Sequence, residues 1–248
     1  MKAVVLAGGK GTRLKPYTTC IPKPLMPIGD IPILEVVLTQ LKRDGFDEIY
    51  ITVGYLAHLI QAFFGDGSRL GIKLRYSHEA QPLGTAGPIA MLLNELDDDF
   101  LVINGDVLTT LDYRSMYLSH KQNKAAATIA VYKREVPIDF GVIQTDGDIL
   151  IDYIEKPTYS FEVSMGVNVL NPNIIMKYIV AGKKLDMPEL IIRMKNNNEL
   201  VMCYREACYW LDIGRIEDYE TAIGEFESRR ESFLGCKRKQ SLQVLKDL

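Results

Sequence analysis

The chain lacks the cysteine and histidine patterns that mark zinc sites and disulfide scaffolds. Four cysteines and three histidines are spread over 248 residues without a CxxC pair or another metal-ligand spacing. These residues are Cys20, Cys203, Cys208, Cys236, His58, His78 and His120. We therefore expect free thiols in a reducing cytoplasm, and histidines that lie on the surface or pack in the core.

Long hydrophobic runs and a large net charge are also missing. No apolar stretch approaches the roughly 20 residues that span a bilayer. Residues 1–9, MKAVVLAGG, lack the longer apolar segment of a signal peptide and predict a first strand instead. With 29 Lys and Arg against 32 Asp and Glu, the net charge is −3. We expect neither a membrane nor a nucleic acid as partner, so a phosphate site here requires a local cluster of cations.

The first half of the chain alternates short apolar runs with helical patterns. This alternation is typical of βαβ units and predicts an α/β fold with a mainly parallel sheet. Strands are predicted at residues 2–7, 48–54, 72–77, 100–106 and 125–134. Helices are predicted at residues 32–45, 55–67 and 84–96.

The second half, from about residue 137, is richer in strand patterns. Two β-rich runs flank Asp146-Gly147-Asp148, which is a hairpin signal. Further strands are predicted at residues 162–172, 199–204 and 208–214, and helices at 173–182, 187–198 and 215–230. No repeat, low-complexity tract or Pro/Ser-rich linker interrupts the chain, so we interpret it as one continuous domain.

Residues 4–18, VVLAGGKGTRLKPYT, form a glycine-rich segment directly after the first strand. A P-loop would need Ser or Thr after Lys10, where Gly11 stands. A dinucleotide fingerprint would need a third glycine where Leu14 stands. Prolines at positions 16, 22, 24 and 27 forbid a regular helix, so an extended loop is predicted.

This loop combines three features that suit a phosphate. Gly8, Gly9 and Gly11 leave backbone N–H groups accessible to phosphate oxygens. Arg13 offers a bidentate fork, and Lys23, between two prolines, offers a point charge. A solvated strand-to-helix turn is the alternative interpretation of the glycines alone, but their convergence with two cations favours phosphate binding.

Residues 6–28, LAGGKGTRLKPYTTCIPKPLMPI, resemble the signature of the sugar-1-phosphate nucleotidylyltransferases, also called NDP-sugar pyrophosphorylases. The resemblance continues in the family's order through QPLGTAGP, NGD, FGVI, EKP, GVNVLNP and YWLDIG, over about residues 1–225. The PLGTAGP block and the ending YWLDIGRIEDYE look most like the short bacterial mannose- and heptose-1-phosphate guanylyltransferase branch.

The resemblance implies a single nucleotidyltransferase domain over residues 1–228 with a Rossmann-like mixed, mainly parallel sheet flanked by helices. Residues 1–136 would form the nucleotide-binding half, and residues 137–228 the sugar-binding half with its β-rich lobe. Residues 229–248 carry six Lys or Arg and two Asp or Glu, and we interpret them as a basic, solvated tail. A subunit contact of this tail, as in a homodimer, stays open.

The resemblance also implies where the nucleotide binds. Arg13 and Lys23 would be catalytic. Arg13 would stabilise the α-phosphate and the departing pyrophosphate, and Lys23 would stabilise the triphosphate. Gln81 and Gly84 match positions that read the base edge, and Asn104 matches a substrate-contacting asparagine. The implied nucleotide-binding residues are Leu6, Ala7, Gly8, Gly9, Gly11, Thr12, Gln81, Gly84 and Asn104.

Two aspartates are candidate metal ligands. Asp106 stands at the end of a buried strand, and Asp212 follows the chain's only tryptophan in an apolar setting. A buried carboxylate needs a cation or a donor, and either one alone could equally cap a loop. The resemblance matches both to the aspartates that hold catalytic Mg²⁺, a metal that prefers oxygen ligands.

The sugar-binding residues follow from the resemblance. It assigns Glu155 to the sugar hydroxyls and Lys156 to the sugar phosphate, with the two side chains expected on opposite faces at a strand end. It assigns the Gly141 backbone N–H and the Asn168 amide to the sugar as well. An exposed salt-bridging pair is the alternative interpretation of Glu155 and Lys156.

The implied reaction transfers a nucleoside monophosphate from a triphosphate to a sugar 1-phosphate, giving an NDP-sugar and pyrophosphate. We expect GTP and a mannose- or heptose-type sugar. Many guanylyltransferases with similar motifs have Glu where Gln81 stands. Because an amide both donates and accepts hydrogen bonds, Gln81 could equally serve uracil or thymine, so a uridylyl- or thymidylyltransferase acting on glucose 1-phosphate is the alternative. A catalytically silent sugar-nucleotide-binding homologue is expected to have lost Arg13, Lys23 or an aspartate, and all are present.

Overall fold

The computed structural model describes residues 1–235. The strands are β1 (Lys2–Ala7), β2 (Pro27–Ile28), β3 (Ile31–Pro32), β4 (Glu48–Val53), β5 (Lys73–His78), β6 (Phe100–Asn104), β7 (Val107–Thr109), β8 (Ala127–Pro137), β9 (Val142–Asp146), β10 (Ile149–Ile154), β11 (Thr158–Leu170), β12 (Val201–Arg205) and β13 (Trp210–Asp212). The α-helices are α1 (Ile33–Arg43), α2 (Ala57–Phe64), α3 (Tyr113–Asn123), α4 (Pro172–Ile175), α5 (Met187–Asn196) and α6 (Ile216–Leu234).

Seven strands form one mixed sheet in the order β12-β8-β11-β6-β1-β4-β5. The pairs β1–β4, β1–β6, β4–β5 and β8–β12 are parallel, whereas β11 runs antiparallel to β6 and β8. The predicted α/β fold with a mixed, mainly parallel sheet flanked by helices is therefore confirmed. The boundary between the two halves at residue 136 stays a prediction.

Strand β1 lies inside the sheet, between β6 and β4, and it is buried on both faces. Ala3, Val5 and Ala7 pack into the hydrophobic cluster that includes α1 and α2, and Val4 packs into the cluster on the other face, which includes α5. An unbroken apolar run is what a strand covered on both faces requires. The carboxyl end of this buried strand leads into the glycine-rich loop.

Helix α1 contacts two hydrophobic clusters, which explains its wide apolar stripe. Leu34 and Leu38 face the sheet, while Ile33 and Val36 pack in a third cluster with residues of α6. The helix ends at Arg43, and Gly45 follows with a φ of 88°. Its packing against α6 brings an early helix of the chain into contact with the last described helix.

The segment predicted as a helix at residues 84–96 is not α-helical. It forms two 3₁₀ turns, Gly87–Met91 and Leu93–Glu95. The N–H groups of Ala86 and Gly87 both donate to the Leu185 carbonyl, at 2.9 and 3.0 Å. These long-range bonds and Pro88, which has no N–H, replace the pattern of a regular helix. The predicted helix was wrong for this reason.

Three smaller predictions were also wrong. The glycine-rich loop is not extended throughout, since it contains 3₁₀ turns at Thr12–Leu14, Tyr17–Thr19 and Lys23–Leu25. The helix predicted at residues 173–182 is limited to the four residues of α4. Strand β10 ends at Ile154, and Lys156 has a left-handed φ of 45°, so strand alternation does not orient Glu155 and Lys156.

The hairpin predicted around Gly147 is confirmed as the antiparallel pair β9–β10. The hairpin is a two-stranded sheet separate from the main one, which we call the lobe, and every residue of β10 is exposed. The register between β8 and β11 shifts between Ser164 and Asn168, and the outer residues 132–137 and 158–163 pair only with each other.

No helix within residues 1–235 is long and apolar enough to cross a membrane. Cys20, Cys203 and Cys208 are free thiols, as expected, whereas Cys236 and residues 236–248 of the predicted basic tail lie outside the described residues. Residues 229–234 of that predicted tail belong to α6, and Phe233 is buried in the third hydrophobic cluster, so this part is not a solvated tail. His120 is buried and its Nδ1 lies 2.8 Å from the Thr128 hydroxyl, so it packs in the core. The cytoplasmic location stays a prediction.

Candidate active site

A cavity of about 380 Å³ opens at the carboxyl ends of the parallel strands β1, β4 and β6. Ligand sites of open α/β sheets lie at this edge. The sequence-predicted residues that line it are Leu6, Ala7, Gly8, Gly9, Gly11, Thr12, Arg13, Lys23, Gly84, Asn104 and Asp106. Pro24, Thr52, Glu79, Pro82, Thr85 and Gly105 complete the lining. We call this space the loop cavity.

The glycine-rich loop is held in shape by its own backbone. Gly11 has a φ of 60°, and a Cβ added there would lie 3.0 Å from the Thr18 side chain and 3.2 Å from that of Lys23. Its carbonyl accepts hydrogen bonds from the Leu14 N–H and from the Thr18 hydroxyl, at 2.9 and 2.8 Å. Position 11 therefore requires glycine for both conformation and space.

Lys23 and Asp106 form an ion pair at the cavity wall. Lys23 is 8% exposed, so its ammonium group has little access to water. A buried ammonium group without a carboxylate would be strongly unfavourable. The short turn Lys23–Leu25 thus fixes a positive charge beside the carboxyl end of β6.

Asp106 and Asp212 come together because β7 pairs with β13. Asp212 lies opposite Val107 in this antiparallel pair, and the Ile213 N–H donates to the Asp106 carbonyl at 3.3 Å. Burial and the negative charge of Asp106 raise the pKa of Asp212, while Lys23 and Arg13 act in the opposite direction. The structure therefore brings together the two carboxylates that the resemblance identified.

Arg13 approaches Asp212 next to Gly214. A Cβ added at Gly214 would lie 3.2 Å from Arg13 Nη1 and 3.3 Å from Asp212 Oδ2. The absence of a side chain at this position leaves room beside it for both the guanidinium and the carboxylate. Arg13 and Lys23 from the loop, Asp106 from the turn between β6 and β7, and Asp212 from β13 thus come together.

A second cavity, of about 510 Å³, adjoins the first. Both cavities are lined by Leu6, Thr85 and Asn104, and Asp212 belongs to the second. Its remaining lining residues are Ile129, Ser164, Met165, Gly166, Asn168, Met187, Pro188, Ile191, Ile192 and Trp210. Of the predicted sugar-binding residues, Asn168 is the one found here. We call this space the α5 cavity.

Four predicted site residues line neither cavity: Gln81, Gly141, Glu155 and Lys156. Gln81 is exposed, and so are Glu155 and Lys156, which follow β10 in the lobe. Gly141 lies against Tyr153, whose hydroxyl donates to a Glu155 carboxylate oxygen at 3.3 Å. The structure therefore leaves the lobe residues outside the two cavities.

Glu79 was missed by the sequence reasoning and lies in the loop cavity. One of its carboxylate oxygens accepts a hydrogen bond from the Leu83 N–H at 3.0 Å, and the other faces Gly8. Burial raises the pKa of this carboxyl. Its position directly after β5, at the carboxyl end of a parallel strand, is a signal that could have identified it.

The close approach of Arg13 and Asp212 at Gly214 gives a testable prediction. Gly214→Ala should displace one or both groups by a few tenths of an ångström, and a reaction that depends on them should slow about tenfold, because misplaced reacting groups lose rate steeply. The matched control is Gly224→Ala on α6, where an added Cβ meets nothing within 4 Å. Steady-state kinetics would contradict the prediction if both variants turned over like the wild type.

Comparison with known proteins gives consistent similarities. A family model described as nucleotidyl transferase matches residues 2–229. The chain is 34% identical to a UTP–glucose-1-phosphate uridylyltransferase of Synechocystis, over 92% of this chain and 64% of the relative. It is also 34% identical to a mannose-1-phosphate guanylyltransferase of Mycobacterium tuberculosis, over 88% of this chain and 62% of the relative. The chain thus spans less than two thirds of these relatives' lengths.

One solved structure is matched over almost its whole length, unlike the relatives above. The crystal structure of HddC from Yersinia pseudotuberculosis complexed with GMP-PN superposes with a TM-score of 0.70 at 28% identity. The match covers 91% of this chain and 99% of that one.

Proposed function

Because the chain belongs to the nucleotidyl transferase family, we propose that it transfers a nucleoside monophosphate from a nucleoside triphosphate to a sugar 1-phosphate. The observation that carries this proposal is the carboxylate pair at two adjoining cavities. Asp106 lines the loop cavity, Asp212 lines the α5 cavity, and Asn104 lines both. A transfer between two bound phosphates requires two sites that share a boundary.

The loop cavity suits the triphosphate, and the α5 cavity suits the sugar. A phosphate oxygen of the sugar 1-phosphate forms a bond to the α-phosphorus, the bond between that phosphorus and the β-phosphate oxygen breaks, and pyrophosphate leaves with the electron pair. The nucleophile is already an anion, so no general base is needed. The chain's contribution is positioning and charge stabilisation, by Arg13 at the α-phosphate and Lys23 at the triphosphate.

Asp106 and Asp212 would hold a divalent cation, which we propose is Mg²⁺. Their carboxylate oxygens are the ligand type that Mg²⁺ prefers, and burial of Asp212 beside Asp106 calls for a positive charge between them. Residues 1–235 contain no group of three or more His, Cys, Asp or Glu that could hold a metal, so an ion held by these two carboxylates would need water and substrate oxygens as its further ligands. Bound there, the ion would supply neutralisation of phosphate charge.

The lobe residues keep their proposed roles on the basis of the resemblance alone. Lys156 would contact the sugar phosphate, Glu155 the hydroxyls and the Gly141 N–H the sugar. Asn168 has additional support because it lines the α5 cavity and is only 5% exposed.

We propose that Glu79, rather than Gln81, reads the base, and that the base is guanine. An ionised carboxylate only accepts hydrogen bonds, which suits the N1–H and amino group of guanine. Glu79 lines the loop cavity, whereas Gln81 is exposed and does not line it. Gln81, the residue that left uracil or thymine as the alternative base, is therefore weak support for that alternative.

A pyrophosphate-release screen tests the reaction. Four nucleoside triphosphates are combined with a panel of sugar 1-phosphates, and the NDP-sugar is identified by mass spectrometry. We expect the highest turnover with GTP, and turnover with at least one mannose- or heptose-type sugar 1-phosphate. Absence of pyrophosphate release from every pair would contradict the proposed reaction.

Glu79 gives a second prediction, on base selection and pH. Glu79→Gln should lower the preference for GTP over UTP in kcat/KM by about 10- to 100-fold, the scale of one bidentate base contact. Because burial raises the pKa of Glu79, it gains a proton at a higher pH than an ordinary glutamate. The protonated oxygen no longer accepts, so the KM for GTP should rise as the pH falls through that range.

The matched control for base selection is Gln81→Glu, two residues away on the exposed side. We expect it to leave the GTP preference unchanged, and Glu79→Gln to remove the acid rise in KM. If Gln81→Glu changed the preference and Glu79→Gln did not, the base would be read at Gln81.

A further inference from the structure

The lining of the α5 cavity has a polar part, which comes mainly from strands, and an apolar part, which includes helix α5. Its polar side chains come mainly from strands: Asn104 on β6, Ser164 and Asn168 on β11, and Asp212 on β13. Helix α5 contributes apolar side chains, namely Met187, Pro188, Ile191 and Ile192. We call this set of four the α5 wall.

The α5 wall offers no hydrogen-bonding side chain among the described residues. The charged residues of the same helix turn, Glu189 and Arg193, pair with each other at 2.5 Å and do not line the cavity. The first backbone N–H of the helix, at Met187, donates to the Thr85 hydroxyl at 2.7 Å, and Pro188 has no N–H. The first two positions of the helix therefore offer no free backbone N–H to a ligand.

Trp210 adds to the apolar surface rather than to the polar one. Its indole N–H donates to the Met165 carbonyl at 2.9 Å, so this donor is already used. The ring also packs against Tyr132, with centroids 5.4 Å apart. Its remaining surface in the cavity is apolar.

A sugar hydroxyl pressed against the α5 wall would lose water without gaining a partner, which is unfavourable. A methyl group in the same place would remove apolar surface from water, which is favourable. Building on the proposed reaction, we propose that the α5 cavity selects a sugar 1-phosphate with a methyl-bearing substituent, a 6-deoxy carbon or an acetamido group, against the α5 wall. Asn168, Ser164 and Asn104 then hold the hydroxylated part of the ring.

Two matched substrate pairs test this selection. Mannose 1-phosphate is compared with 6-deoxymannose 1-phosphate, and glucose 1-phosphate with N-acetylglucosamine 1-phosphate. We expect the methyl-bearing member of at least one pair to be favoured by about tenfold or more, the scale of one apolar group in a hydrophobic pocket. The preference is measured as kcat/KM with GTP and, independently of turnover, as Kd by calorimetry.

Variants of the wall locate the preference. Ile191→Asn should lower the methyl preference about tenfold by offering a partner to a hydroxyl. Ile192→Asn, at a side chain that is 57% exposed, is the companion variant that keeps the test valid if Ile191→Asn does not fold. Leu118→Asn on α3 makes the same change at a 54% exposed position outside both cavities and should leave the preference unchanged.

The outcomes separate this inference from the proposed reaction. A methyl preference in Kd with no NDP-sugar from any triphosphate would support the selection and contradict the reaction. Turnover in which the hydroxylated member of both pairs is equal or better would overturn the selection and leave the reaction standing. A methyl preference that neither wall variant changes would also overturn the assignment to α5.

Discussion

Replacing either Asp106 or Asp212 by asparagine should reduce turnover by at least about a thousandfold while the chain still folds, because each removes a carboxylate from the proposed metal pair. Titration with Mg²⁺ should raise turnover in the wild type and hardly change it in either variant. Asp148→Asn, in the exposed hairpin turn, is the matched control and should behave like the wild type. Pyrophosphate release is the measurement.

The two variants should differ in stability, although both lose activity. Burial and the charge of Asp106 raise the pKa of Asp212, so its ionised form lowers the free energy of unfolding above that pKa. Asp212→Asn removes this cost and should leave the protein as stable as the wild type or more stable at neutral pH. Its effect should vanish at low pH, where the wild-type carboxyl is protonated.

Asp106→Asn should instead lower the free energy of unfolding by about 1–3 kcal/mol, because it leaves the buried Lys23 ammonium without its carboxylate. Denaturant unfolding of both variants measures this difference. Retained turnover in either variant would contradict the metal assignment, and equal stability losses in both would contradict the charge arrangement described here.

Arg13→Ala should lower kcat by about 10²- to 10³-fold, the scale for removing one preorganised group that stabilises developing charge. Its guanidinium lies beside Asp212 at the wall of the loop cavity, where the α-phosphate would bind. The KM for the sugar 1-phosphate should change much less, because the α5 cavity is not lined by Arg13.

The matched control is Lys10→Ala, which removes a positive charge from the same loop at an exposed position outside the cavity lining. Steady-state kinetics of both variants separate a specific contact from a general field. Equal losses in the two variants would mean that the loop acts only through its net charge, and near-wild-type turnover of Arg13→Ala would favour a solvated loop.

Several features could be predicted from the sequence because their causes are local. The apolar run at residues 2–7 predicts a strand, and the structure has β1 there, with Val4 and Val5 in opposite clusters. The turn at Gly147 predicts the hairpin β9–β10. The glycine-rich loop could be identified because the backbone conformation at Gly11 depends on that residue type and on close neighbours such as Thr18.

Other features could not be predicted because their partners are distant in the sequence. Residues 84–96 lose their helix to hydrogen bonds with Leu185, about 100 positions away. The position of Glu79 after β5 marks it as a candidate, but its contact with Gly8 in the loop cavity is one that no periodic pattern encodes. For the same reason, the sequence did not indicate that Glu155 and Lys156 would lie outside both cavities.

The sequence by itself determined the family resemblance, the parallel α/β core and the types of residue available for phosphate chemistry, since these depend on composition, periodicity and short motifs. The resemblance pairs Asp106 with Asp212, but only the tertiary structure decided how those residues meet. Asp106 and Asp212 are 106 positions apart, and the pairing of β7 with β13 brings them together. Contacts of this kind arise from strand pairing and burial across the whole chain, which no local pattern specifies.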